Sequence, residues 1–121
     1  MMLIKSFAAC RPLIANDGCR IFELLHAKND AVELPYSFAV AEVEPGERSY
    51  RHRLRQTEVY YVLAGRGRMH IGEDTRELAS GDAVLIPGGA EQWIENIDDT
   101  LLRFIAIVSP PWSAEDDERL E

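Results

Sequence analysis

Pro45 to Gly65 reads PGERSYRHRLRQTEVYYVLAG, and its punctuation and alternation decide how the whole chain folds. Glu44-Pro45-Gly46-Glu47 suits a turn, because Pro fixes one φ angle and Gly tolerates a positive one. Ala64-Gly65-Arg66-Gly67 suits a tight hairpin at the other end. Side chains two apart on a strand share a face. Arg51, Arg53 and Arg55 therefore point one way, and His52, Leu54, Glu58, Tyr60 and Val62 the other. Three arginines on one face mark it as the outside. His52 and Glu58 are expected to point inward among apolar neighbours.

Outward from this stretch, the chain from Arg20 onward breaks into short strand-like runs separated by Gly, Pro, Asn and Asp. The runs are 20–26, 36–44, 49–54, 58–64, 67–71, 75–79, 83–87, 91–96 and 101–108. Ile71-Gly72-Glu73-Asp74 and Ile97-Asp98-Asp99-Thr100 supply further turns. In the last run Arg103 faces out, which turns Leu102, Phe104, Ala106 and Val108 inward. No internal stretch has a helical period, so the fold class is all-β, a sandwich or barrel. Pro110-Pro111 ends the last strand. Ser113-Ala114-Glu115-Asp116 reads as a helix N-cap with acids in the first turn, predicting a short helix over 114–120. Trp112 is expected to pin this tail to the barrel.

At 121 residues the chain fits one domain, and a chain of that length buries roughly two thirds of its unfolded surface. The division expected is an N-terminal segment 1–19 packed on the barrel or on a partner subunit, a barrel 20–112, and an acidic tail 113–121. Net charge is −8, from 21 acidic and 13 basic residues. That balance disfavours nucleic acid and anionic membrane surfaces, which need clustered Lys and Arg. No apolar run approaches the length of a membrane-spanning helix. Phe7-Ala8-Ala9-Cys10 superficially resembles the end of a lipoprotein signal, but Lys5 interrupts an apolar stretch only a few residues long. Cys10 and Cys19 are the only cysteines, too few for a disulfide framework or a four-thiolate metal site. A reduced, cytoplasmic protein is the expectation.

The 45–65 stretch resembles the first motif of the cupins: Gly, five residues, His-x-His, three or four residues, Glu, six residues, Gly. Gly46, His52, Glu58 and Gly65 fall in register, and Leu54 stands where the second His is usual. Gly81 to Asn96, GDAVLIPGGAEQWIEN, resembles the second motif. There Gly81, Pro87, Gly89 and Asn96 match, and Gln92 replaces the His. The resemblance implies a cupin-type double-stranded β-helix, or jelly roll. In metal-binding cupins the two His residues, the Glu and the second motif's His converge on one divalent ion. Carried over, this implies a reduced site of His52, Glu58 and Gln92. Such donors suit Mn, Fe, Ni or Zn, and no organic cofactor is implied. The alternative is a hydrogen-bonded polar cluster that binds a small polar molecule without metal.

Glu58 as ligand or base, and Tyr60 as a hydrogen-bond donor, are the catalytic candidates. His26 and His70 are not expected to be ligands, and His70 is read as outward. Glu42 and Glu44 are expected to pair across strands with Arg51, Arg53 and Arg55. Phe38 and Val40 share that outer face, which suggests cover by the N-terminal segment or an isologous homodimer. Two functions remain open: a metal-dependent isomerase, lyase or dioxygenase on a small polar substrate, or a non-catalytic metabolite-binding or sensor module.

Overall fold

The computed structural model describes residues 1–121. Its strands are β1 (Leu13–Ile14), β2 (Arg20–Leu25), β3 (Ser37–Val43), β4 (His52–Leu54), β5 (Thr57–Ala64), β6 (Arg66–Ile71), β7 (Asp74–Ala79), β8 (Ala83–Ile86), β9 (Glu91–Asn96), β10 (Leu102–Ser109) and β11 (Asp117–Arg119). They form two antiparallel sheets, ordered β1-β2-β3-β10-β5-β8 and β11-β4-β9-β6-β7. The chain is nearly all β, as the strand pattern predicted. No helix is long and apolar enough to cross a membrane.

Alternation places the core between the sheets. Along β10, Leu102, Phe104, Ala106 and Val108 are buried while the residues between them are not. Along β5 the same holds for Glu58, Tyr60 and Val62. The first sheet contributes Ala41, Val43, Tyr60, Val62, Ile86, Leu102, Phe104 and Ala106 to one cluster, and the second contributes Met69, Leu78 and Ile94. Gly65 makes the crossing from one sheet to the other. Its φ is +84°, and a Cβ there would lie 2.6 Å from the Leu101 carbonyl oxygen, so no other residue fits without moving the backbone.

The N-terminal segment covers part of the outer face of the first sheet. Phe22 and Val40 are paired across β2 and β3 and both are buried. Phe7, in a 3-10 turn over Phe7–Ala9, packs on Phe22 with ring centroids 4.5 Å apart.

Three expectations change. Ala64–Gly67 is not a hairpin: β5 pairs with β8 and β10 and β6 with β7 and β9, so this turn carries the chain between sheets. The arginines 51, 53 and 55 do not meet Glu42 and Glu44, because the 44–51 connection carries the chain from one sheet to the other and leaves β3 and β4 apart. Instead Arg51 pairs with Glu91, Arg53 with Glu118 and Arg55 with Asp116. Glu42 is gripped by Arg20 and Arg103, each at 2.6 Å. In the tail, the helix expected over 114–120 is one 3-10 turn, Ala114–Asp116, followed by strand β11. The Ser113 side chain makes no capping bond, and a seven-residue helix is weak alone. The open edge of β4 offers backbone partners instead, and β11 takes them with Asp117 opposite Leu54 and Arg119 opposite His52.

Candidate functional site

His52 and Gln92 are direct cross-strand neighbours on β4 and β9, so they enter the interior side by side from the second sheet. Glu58 and Tyr60 enter from β5 on the first sheet. The two groups meet across the barrel: Gln92 Nε2 donates to Glu58 Oε1 at 3.2 Å, and Tyr60 Oη donates to Gln92 Oε1 at 3.3 Å. The Tyr60 ring rests on Phe104, centroids 4.3 Å apart. His52, Glu58 and Tyr60, read as inward from the alternation, are buried, and so is Gln92, implied by the second motif: Gln92 is only 1% exposed and His52 3%.

His52 is oriented by the backbone just before its strand. Its Nδ1 lies 2.9 Å from the Tyr50 carbonyl; a carbonyl can only accept, so Nδ1 carries a proton and in the neutral ring Nε2 holds the lone pair. Nε2 makes no hydrogen bond within the chain and lies 3.9 Å from Asp17 Oδ2.

Next to these residues lies a cavity of about 70 Å³, enough for a few waters or the body of a small organic molecule. His52, Glu58 and Tyr60 line it, with Ile21, Leu54, Phe104 and other apolar side chains. Asp17 and Asp117 line it too, and neither was singled out from the sequence. Asp17 sits in the turn before β2, its Oδ1 accepting from the Cys19 amide at 3.0 Å. Asp117 opens β11, its Oδ2 accepting from Trp112 Nε1 at 3.0 Å, while its Oδ1 is buried without a partner. Asn16-Asp17-Gly18 reads as an ordinary turn, and Asp117 is one of five acids in a tail that reads as solvated. Only the long-range pairing of β11 with β4 turns it inward.

Trp112 does pin the tail. Its amide donates to Ser37 Oγ at 3.0 Å, and its carbonyl accepts from His26 Nε2 at 2.7 Å. His26 Nδ1 accepts from the Lys28 amide, so that imidazole is fully used in structure. His70 points outward as expected, stacked on Trp93 at 4.2 Å and bonded to Glu95 and Thr75.

The electrostatics favour neutral forms inside. Burial, reinforced by the Asp17 charge, pushes the Glu58 carboxyl up to about 8, so it is mostly protonated at neutral pH. Burial raises the Tyr60 hydroxyl well above its usual range. It also raises the Asp117 carboxyl, against the opposing pull of His52 and Trp112.

A resident divalent ion of the kind implied by His52, Glu58 and Gln92 fits this arrangement poorly. Both polar atoms of the Gln92 amide are engaged, and Leu54 is a hydrocarbon where a further ligand would stand. No three His, Cys, Asp or Glu side chains converge at ligand spacing.

Comparison with known proteins places the fold. The family described as Cupin domain matches residues 39–108. The chain is 37% identical to an uncharacterized protein of Methanocaldococcus jannaschii, over 100% of this chain and 98% of that one. It is 31% identical to an oxalate-binding protein of Thermotoga maritima, over 59% of this chain and 60% of that one. Among solved structures, the polyketide cyclase RemF from Streptomyces resistomycificus superposes with a TM-score of 0.83 at 17% identity, covering 100% of this chain and 87% of that one.

Proposed function

The chain belongs to the cupin family, and from that premise we propose that it is a small-molecule-binding cupin whose barrel holds its ligand without a resident metal. The observation that carries this reading is the bonded chain Tyr60–Gln92–Glu58. It satisfies, side chain to side chain, Glu58 and Gln92, two of the positions where metal-binding cupins direct donors at an ion, and a cavity lies beside it. A pocket with an apolar wall and a few aimed polar groups is what retention of a small molecule requires.

A second reading is a metal-dependent isomerase, lyase or dioxygenase with a reduced ligand set. The unpartnered His52 Nε2 favours it, since that atom is oriented as a ligand would be. Here His52, Glu58 and Gln92 would hold the ion, which would supply Lewis acidity or oxygen activation. Elemental analysis of purified protein and of His52→Ala separates the two. Less than stoichiometric Mn, Fe, Ni or Zn in both proteins is expected. Stoichiometric metal in the parent that disappears in the variant would replace the first reading with the second.

We further propose a homodimer, formed through the part of the first sheet's outer face that the N-terminal segment leaves bare, and a cytoplasmic location in keeping with two free thiols.

A further inference from the structure

The cavity wall is one-sided in its chemistry. Asp17, Glu23, Glu58 and Asp117 line it, and no Lys or Arg does. Its two histidines offer no free donor in their neutral forms: His26 is bonded at both ring nitrogens, and the single ring proton of His52 is directed to Tyr50. Tyr60 Oη already donates to Gln92.

Among the groups without a partner acceptors predominate, although the Ser37 hydroxyl and the protonated Glu58 carboxyl can also donate. His52, 3% exposed, presents an unpartnered Nε2. Asp17, 7% exposed, has its Oδ2 3.9 Å from that nitrogen. Asp117 Oδ1 is buried with nothing donating to it. A buried acceptor without a donor is unfavourable by roughly 1–3 kcal/mol, so the orphaned Asp117 Oδ1, beside the unpaired His52 Nε2 and Asp17 Oδ2, points to a donor supplied from outside. The rest of the wall is hydrocarbon: Ile21, Leu25, Leu54, Phe104, Ala106 and Val108.

We propose that the cavity takes a small organic ammonium with an apolar body, its N–H groups bonded to His52 Nε2, Asp17 Oδ2 and Asp117 Oδ1 and its hydrocarbon against the inner face of β10. An ammonium has three donors and no acceptor, the complement of this wall. Its charge is desolvated beside the Asp17 and Asp117 carboxyls, and a charged donor makes a stronger hydrogen bond than a neutral one. An anionic ligand would meet carboxyl groups with no cation to neutralise it. The cavity is therefore matched to the opposite charge from that of oxalate, named for the Thermotoga relative.

This assignment presupposes the ligand-binding cavity proposed above, and titration calorimetry of the intact chain at pH 7 tests the two separately. The probes are isopentylammonium, isopentyl alcohol, isovalerate and oxalate, which share size or skeleton but differ in charge. Isopentylammonium is expected to bind at least about tenfold more tightly than the alcohol, with no heat from either anion. Asp117→Asn and Asp17→Asn, each checked for an intact melting transition, are expected to lose about tenfold or more of the ammonium affinity while keeping that of the alcohol. The wild-type order of affinities stands as evidence even if a variant fails to fold. Equal affinity for ammonium and alcohol, or tighter binding of isovalerate or oxalate, with or without added divalent metal, overturns the ammonium assignment and leaves the cavity a binding site. No binding of any probe overturns both.

Discussion

Glu58 is a carboxyl held where its neutral form is favoured. Burial and the nearby Asp17 raise it from an ordinary value of 4.5 to about 8. The sign of the consequence follows from proton counting. Between those two values the native state keeps a proton that the unfolded state releases, so stability falls as pH rises from about 5 to 8 and levels off above. The contribution of this one group approaches a slope of about 1.4 kcal/mol per pH unit within that window. Glu58→Gln keeps the shape, the neutral charge and an acceptor for Gln92, so its stability is expected to lose this slope and to exceed that of the parent at pH 8. Urea unfolding at pH 5, 6, 7 and 8 checks it; parallel pH profiles for the two proteins would contradict the protonated carboxyl. The inward direction of His52, Glu58 and Tyr60 was legible because a strand's alternation is local. That Gln92 would join Tyr60 to Glu58 was not, since the bond crosses between sheets, and Asp17 and Asp117 enter the cavity through turns and strand pairings that no local pattern records.

Strand β11 is the element that sequence periodicity could not reveal. Three charged residues, Asp117-Glu118-Arg119, have no strand signal of their own, and the acids after Ser113 look like a helix start. What decides their conformation is the unpaired edge of β4. Beyond the paired residues, the Leu120 amide donates to the Arg51 carbonyl at 2.9 Å and the Arg55 amide to the Asp116 carbonyl at 3.0 Å. The Glu121 carboxylate accepts from the Arg51 amide at 2.8 Å. At about 0.5–1.5 kcal/mol net for each hydrogen bond, truncation after Trp112 is expected to lower stability by about 2–4 kcal/mol. Chemical denaturation of the truncated chain measures this, and an unchanged midpoint would mean that the tail only decorates the barrel. Central strands were legible for the opposite reason. β5 and β10 are long runs of β-branched, aromatic and other apolar residues, and Gly65 stands at the turn after β5 because backbone geometry there admits little else. Strand pairing was harder to read: Glu42 meets Arg20 and Arg103 rather than the arginines of β4, because sequence spacing does not say which sheet a strand joins.

For the whole molecule the open question is what covers the first sheet. Phe7 shields the Phe22 and Val40 end, but Tyr61 and Leu63 remain 41% exposed and Leu85 63%. Val59 lies opposite Leu85, and Ile105 and Ile107 lie opposite Tyr61 and Val59, so these side chains form one continuous apolar face across β8, β5 and β10. A contiguous patch of this kind is unusual on a monomer. A two-fold dimer buries it on both subunits at once, because the same surface serves as both halves of the interface. The chain's net charge of −8 opposes association at long range, so the proposed contact would be driven by apolar burial and is expected to persist at high salt. Leu85→Lys places a charge at the most exposed point of the patch, where no core contact is lost, and it is expected to shift the chain from dimer to monomer with the strand content intact. Sedimentation equilibrium of both proteins at low and high salt checks this. A parent that sediments as a monomer, or a variant that dimerises as well as the parent, would show that something other than a second copy meets this face.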